Sequence, residues 1–67
     1  MGKNITSFEG EDVLNNMKTT NFFTDKRYIG TVFWGKNGYT VRLIIARKEV
    51  FHHVRTLRQA EELIKHD

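Results

Sequence analysis

The sequence predicts a small α+β fold in which a three-stranded antiparallel sheet is packed by a C-terminal helix. Residues 28–54 contain three stretches rich in β-branched and aromatic residues, with turn signals between them. The last eleven residues repeat apolar side chains at helical spacing. A chain of 67 residues, 39% of them hydrophobic, suits a single compact domain. Residues 1–27 then form an N-terminal arm, and residues 28–67 form the β-β-β-α part.

The N-terminal arm is predicted to hold a short helix or to remain extended. Ser7 or Gly10 would cap the helix, and the residues that follow are acidic, which favours a helix start. The apolar positions with helical spacing are Phe8, Val13, Leu14 and Met17. Phe22 and Phe23 are interpreted as an anchor in an extended segment. A frayed arm is the alternative.

Three strands are predicted next, over residues 28–34, 39–45 and 50–54. Asn37-Gly38 between the first two is a strong hairpin signal, because both residue types accept a positive φ. Side chains alternate between the faces of a strand. One face of the second strand therefore carries Tyr39, Val41, Leu43 and Ile45, and the other carries Thr40, Arg42 and Ile44.

The C-terminal helix has a recognisable start. Thr56 and Gln59 have the spacing of a capping box, in which each side chain accepts a hydrogen bond from the other residue's backbone N–H. The apolar stripe that follows consists of Leu57, Ala60, Leu63 and Ile64. Such a helix covers one face of the sheet and leaves the other face open unless the N-terminal arm covers it.

Basic residues are concentrated in the middle of the chain. The net charge is +3, yet residues 26–56 hold seven lysines and arginines against one glutamate. Such clustering is typical of proteins that bind a polyanion, usually nucleic acid. On the uncovered face, Arg42 and Thr40 would reach base edges, and the cations around them would contact phosphates, with Lys26 and Arg27 as outlying helpers. The predicted nucleic-acid-binding residues are Lys36, Thr40, Arg42, Ile44, Arg47, Lys48 and Arg55.

Residues 28–66 resemble the AP2-type DNA-binding domain and the arm-binding N-terminal domains of tyrosine recombinases. The similarity lies in the runs Gly30-Thr31-Val32-Phe33-Trp34, Lys36-Asn37-Gly38-Tyr39, Val41-Arg42-Leu43-Ile44, Val50-Phe51-His52 and Thr56-Leu57-Arg58-Gln59-Ala60. The resemblance implies a sheet that enters the major groove of double-stranded DNA. It also suggests a phage or mobile-element accessory or regulatory factor, located in the cytoplasm and associated with the nucleoid.

Two other functions remain open. A protein-interaction module, such as a small inhibitor or adaptor, would use the sheet face or an edge strand to bind its partner. Its hot-spot candidates are Trp34, Ile44 and Phe22 or Phe23. A single-strand binder would stack bases on aromatic side chains, with Trp34, Tyr39, Phe33 and Tyr28 as candidates. Tyr39 and Phe51 are interpreted mainly as core residues.

Several classes of function are not expected. The absence of cysteine excludes disulfides, thiol nucleophiles and cysteine-based metal sites. His52 and His53 are adjacent in a predicted strand, so they point to opposite faces and cannot easily share one metal ion. No acid–base or nucleophile set is recognisable, and no apolar run approaches the roughly 20 residues of a membrane span. We therefore expect no enzyme activity, no metal, no cofactor and no membrane partner.

Overall fold

The computed structural model describes residues 4–14, 16–25 and 27–66 of the chain. Its strands form one antiparallel sheet, in which each strand pairs with its neighbours in sequence, in the order β1-β2-β3-β4-β5. A single helix, α1, follows the last strand. The elements are β1 (Thr6–Asp12), β2 (Met17–Thr24), β3 (Arg27–Trp34), β4 (Tyr39–Ile45), β5 (Lys48–Val54) and α1 (Leu57–His66).

The predicted fold class is wrong, because the sheet has five strands and the protein is mostly β. The segment expected to be a short helix or an extended arm instead forms β1 and β2, paired from Thr6↔Phe23 to Asp12↔Met17. Two supposed helix-face residues, Val13 and Leu14, lie in the β1–β2 turn and are exposed. Asn16 has a φ of 53° in that turn, a conformation that asparagine tolerates better than most residues do.

The later elements lie close to their predicted positions. β4 has the predicted bounds, and β3 and β5 begin one and two residues earlier than expected. The capping box is confirmed: the Gln59 N–H donates to Thr56 Oγ1 at 3.1 Å, and Gln59 Oε1 accepts from the N–H of Thr56 and of Arg55. Within the described residues, no helix has the length and apolar character needed to cross a bilayer.

The helix packs across β3, β4 and β5, chiefly against β4. Ala60 and Ile64 are buried against the sheet, and Leu57 and Leu63 pack around them as half-buried neighbours. Gly30 permits this close approach, because a Cβ at that position would lie 2.7 Å from Ile64 Cδ1. The sheet residues buried in this core are Phe22, Val32, Val41 and Leu43.

Two of the turns differ from expectation. The turn after β3 spans four residues, with the Gly35 N–H donating to Gly38 O at 2.9 Å. Gly38 has a φ of 148°, and Asn37 is not among the described residues with positive φ. The β4–β5 turn has only two residues between the paired Ile45 and Lys48. Both are left-handed, Ala46 with φ 52° and Arg47 with φ 67°, as a type I′ hairpin turn requires.

Candidate functional site

The sheet surface away from α1, which we call the open face, is not crossed by any described segment. β1 and β2 extend the sheet sideways in the same layer, so these two strands widen the open face and do not cover it. Four intervals between strands of ~4.8 Å give the sheet a width of about 19 Å. Sequence reasoning left open whether the N-terminal arm covers this face; among the described residues, that segment lies beside β3 as part of a broader sheet.

Aromatic side chains form a row across one end of the open face. The rings of Phe8 and Phe23 meet edge to face with centroids 5.7 Å apart, and those of Phe23 and Tyr28 do so at 5.6 Å. A register shift between β2 and β3 makes this row possible: Phe22 pairs with Gly30 but Phe23 pairs with Tyr28, which leaves Ile29 as an extra residue. Phe8, Phe23 and Tyr28 are called the aromatic row below.

Hydrogen bonds hold Tyr28 in this row. The Thr31 hydroxyl donates to Asn21 Oδ1 at 2.8 Å, so it can accept from the Tyr28 hydroxyl that contacts it. Thr31 is 4% exposed, and its neighbour across the β2–β3 ladder is Asn21. The contact with the Thr31 hydroxyl and the edge-to-face contact with Phe23 together orient the Tyr28 ring on the open face.

Arg42 continues the row on the next strand. Its guanidinium carbon lies 5.7 Å from the centre of the Tyr28 ring, in cation–π range. Its Nε lies 2.9 Å from Glu49 Oε2, an ion pair whose angles fall outside those of a hydrogen bond. Phe51 is the cross-strand partner of Arg42 and is 57% exposed. Arg42 is thus held against the sheet by Tyr28 and Glu49.

The other predicted site residues occupy three regions. Thr40 and Ile44 share the open face with Arg42, as the alternation of β4 predicts, and Thr40 Oγ1 lies 3.3 Å from His53 Nδ1. Arg47 and Lys48 lie at the end of the sheet formed by the β2–β3 and β4–β5 turns, together with Arg27. Lys36 and Arg55 lie at the opposite end. Lys26 falls outside the described residues.

The aromatic residues are distributed differently from expectation. Phe51, interpreted as core, lies on the open face, because its neighbours Val50 and His52 pair with the core residues Leu43 and Val41. Trp34 and Tyr39 are on the side of the helix, where their rings meet edge to face at 5.5 Å.

Two contacts hold Trp34 on the side of the helix. Its Nε1–H donates to Thr20 Oγ1 at 3.0 Å, and Lys18 Nζ lies 4.5 Å from the ring centre. Of the four aromatic residues predicted to stack on bases, only Tyr28 and Phe33 therefore face the open side. Sequence reasoning placed Phe8 on a helix face and named Phe22 or Phe23 as a candidate for a protein interface. The alternation of β1 and β2 was the signal that places Phe8 and Phe23 on the open face.

A groove of about 610 Å³ runs beside the aromatic row. Arg27 and Tyr28 line this groove and also a second, smaller cleft between β3 and β4. The groove is lined by Thr6, Phe8, Phe23, Thr24, Asp25, Arg27 and Tyr28.

Among the described residues, no group of three or more histidine, aspartate or glutamate side chains is arranged to hold a metal ion. Comparison with family models, curated proteins and solved structures finds no match to this chain. The arrangement of the open face is therefore the main guide to function.

Proposed function

We propose that the protein binds single-stranded nucleic acid on the open face. The observation that carries this proposal is the aromatic row, continued by Arg42 and the exposed Phe51. Every base has a π-face, so aromatic side chains on a sheet can stack bases with little dependence on sequence, at about 1–3 kcal/mol per base. Fixing the Tyr28 ring through Thr31 lowers the entropy lost when a base stacks on it.

The basic side chains at the ends of the sheet suit a nucleic-acid strand that lies on the open face. Phosphates of a bound strand would reach basic side chains at both ends of the sheet, Arg27, Arg47 and Lys48 at one and Lys36 and Arg55 at the other. These contacts release counterions and supply affinity that falls with salt. Arg42, paired with Glu49, adds its planar guanidinium to the stacking surface.

Double-stranded DNA is the weaker fit, although it remains a prediction. Thr40, Arg42 and Ile44 do lie together on the open face. However, the major groove of B-DNA is ≈12 Å wide, and a five-stranded sheet of about 19 Å is too broad to enter it flat. Arg42 would also have to leave Glu49 before it could read a base edge. Single strands impose neither requirement.

The test compares a labelled thymidine oligonucleotide of roughly eight nucleotides with a duplex of the same length, by fluorescence anisotropy at several salt concentrations. We expect the single strand to bind more tightly. The Phe51→Ala variant should weaken its binding about tenfold, as the loss of one stacked base implies. Leu14→Ala is the matched control, because Leu14 is 95% exposed in the β1–β2 turn, away from the open face.

Trp34 emission provides a second readout in the same titration. Because Trp34 lies on the helix side of the sheet, binding on the open face should leave its fluorescence nearly unchanged. The double-stranded alternative would be supported if the duplex bound more tightly than the single strand and if Arg42→Ala removed the preference for particular duplex sequences. No binding near physiological salt would reject nucleic acid and favour a protein partner on Phe8, Ile44 and Phe51.

A further inference from the structure

Strands β3 and β4 separate at one end of the sheet. Their ladder ends at Gly30↔Leu43, although β3 extends back to Arg27 on β2 and β4 continues to Ile45 on β5. A cleft of about 310 Å³ opens between the separated ends, and we call it the split-strand cleft. Its lining residues are Arg27, Tyr28, Ile29, Ile44, Ala46 and Arg47.

Two arginines line this cleft, Arg27 at the start of β3 and Arg47 in the β4–β5 turn. Within the described part of the chain, neither the Arg27 nor the Arg47 guanidinium has an acidic partner within ion-pair distance, and no described lining residue is acidic. Two like charges on the same cleft repel each other, and an anion between them would remove that cost. The planar guanidinium suits phosphate oxygens, which it can bind through two parallel hydrogen bonds.

The β4–β5 turn accounts for the backbone conformation of Arg47. Arg47 adopts a φ of 67° at a turn position where glycine or asparagine is preferred. Ala46 has the same left-handed conformation, with a φ of 52°, so the turn sets the backbone, and the binding of an anion is inferred from the two guanidinium groups. The turn places Arg47 among the residues that line the cleft, together with Arg27.

We propose that the split-strand cleft binds one phosphate of the nucleic-acid chain between Arg27 and Arg47. This inference rests on the proposed function and gives the bound strand a fixed point. Tyr28 lines both the cleft and the groove beside the aromatic row, so a base attached to the bound phosphate can stack on Phe23 and Tyr28. With its phosphate in the cleft and its base on the aromatic row, the bound nucleotide fixes the position of the nucleic-acid strand along the open face.

The decisive variant is Arg47→Gly, measured with the same thymidine oligonucleotide. Glycine is favoured at this φ, so thermal unfolding should occur at or above the temperature of the unmodified protein. Affinity should nevertheless fall roughly tenfold, as expected when a charge-assisted hydrogen bond to phosphate is removed. The slope of log K against log salt should decrease by about 0.7 for each phosphate that the protein no longer neutralises. Arg27→Gln should act in the same way.

Lys65→Gln is the matched control, since Lys65 is an exposed cation on the helix. A titration with inorganic phosphate, followed through the arginine Nε–H resonances, tests the cleft without any base. We expect Arg27 and Arg47 to shift together and to saturate, while Arg58, which pairs with Glu62 on the helix, does not.

The outcomes distinguish a failure of the cleft proposal from a failure of the proposed function. If Phe51→Ala weakens oligonucleotide binding but Arg47→Gly behaves like Lys65→Gln, the cleft proposal is overturned and the proposed function stands. If phosphate shifts Arg27 and Arg47 but no oligonucleotide binds, the phosphate site stands and the proposed function fails. If inorganic phosphate shifts the Nε–H resonances of all arginines alike and without saturation, the cleft proposal is overturned.

Discussion

Gly30 sets the distance between the sheet and the helix. A Cβ added there would lie 2.6 Å from the carbonyl oxygen of Arg42 and 2.7 Å from Ile64 Cδ1. The Ile64 methyl could move, but the Arg42 oxygen belongs to the backbone of β4 and is held in the ladder. The absence of a side chain at this position is therefore a packing requirement.

We expect Gly30→Ala to destabilise the protein by about 1–3 kcal/mol, the usual cost of overpacking. In a domain of this size, each 1 kcal/mol corresponds to a fall of roughly 4–8 °C in the melting temperature, which circular dichroism can measure. Gly10→Ala is the control: its Cβ would meet only the side-chain ends of Thr19 and Asn21, at 3.2 and 3.3 Å. Equal melting temperatures for the two variants would contradict this explanation.

Single residues also show the limits of sequence reasoning. Thr40, Arg42 and Ile44 could be placed on one face because strand alternation is local. Phe51 could not be placed, because its face depends on which residue of β4 it pairs with. A shift of one residue in that register would have buried Phe51 and exposed Val50.

At the scale of elements, α1 depends on its first turn. Thr56 Oγ1 accepts from the Gln59 N–H, and Gln59 Oε1 accepts from two backbone N–H groups that would otherwise lack a helical partner. The helix is ten residues long, too short to be stable without packing and capping. The cap therefore helps to maintain the helix that packs Ala60 and Ile64 against the sheet.

The Thr56→Ala variant should lose about 1 kcal/mol of stability through the broken cap. Urea unfolding gives the free energy directly, with an unchanged slope if only the cap is affected. Thr6→Ala, an exposed threonine in β1, provides the comparison. A loss no larger than that of Thr6→Ala would mean that the cap does not stabilise the helix.

The β1–β2 hairpin is the element that sequence reasoning missed. Apolar residues between Phe8 and Met17 mimic helical spacing, and this part of the chain has few β-branched residues other than threonine. Its alternation becomes apparent only when Phe8 and Phe23 are seen on one face and Phe22 on the other. The predicted strands and helix from residue 28 onward had stronger local signals, and the strands begin within two residues of their predicted positions.

At the scale of the whole molecule, the helix and the N-terminal hairpin are attached to different parts of the sheet. α1 covers β3 to β5, whereas β1 and β2 contribute only Phe22 to the buried hydrophobic core of the described residues. The hairpin is held chiefly by its ladder with β3 and by the contacts of the aromatic row. Regions with little buried apolar surface open more easily than the core.

We therefore expect the amides of β1 and β2 to exchange with deuterium faster than the amides of β4 that lie equally far from the ends of their strands. Binding of the thymidine oligonucleotide should slow exchange in this hairpin, because Phe8 and Phe23 belong to the proposed stacking surface. Hydrogen exchange read by NMR or mass spectrometry measures both effects. Equal rates in β2 and β4 without ligand would show that the hairpin opens only with the whole protein.

The order of the strands also bears on how the chain reaches this structure. Each ladder joins strands that are consecutive in sequence, through turns of only a few residues. The chain-entropy cost of closing such short loops is small, and folding rates rise as contacts become more local. This sheet can grow one hairpin at a time from the β3–β4 pair, and α1 arrives last in sequence to cover its apolar side. Rapid folding without a long-lived intermediate is the expected consequence.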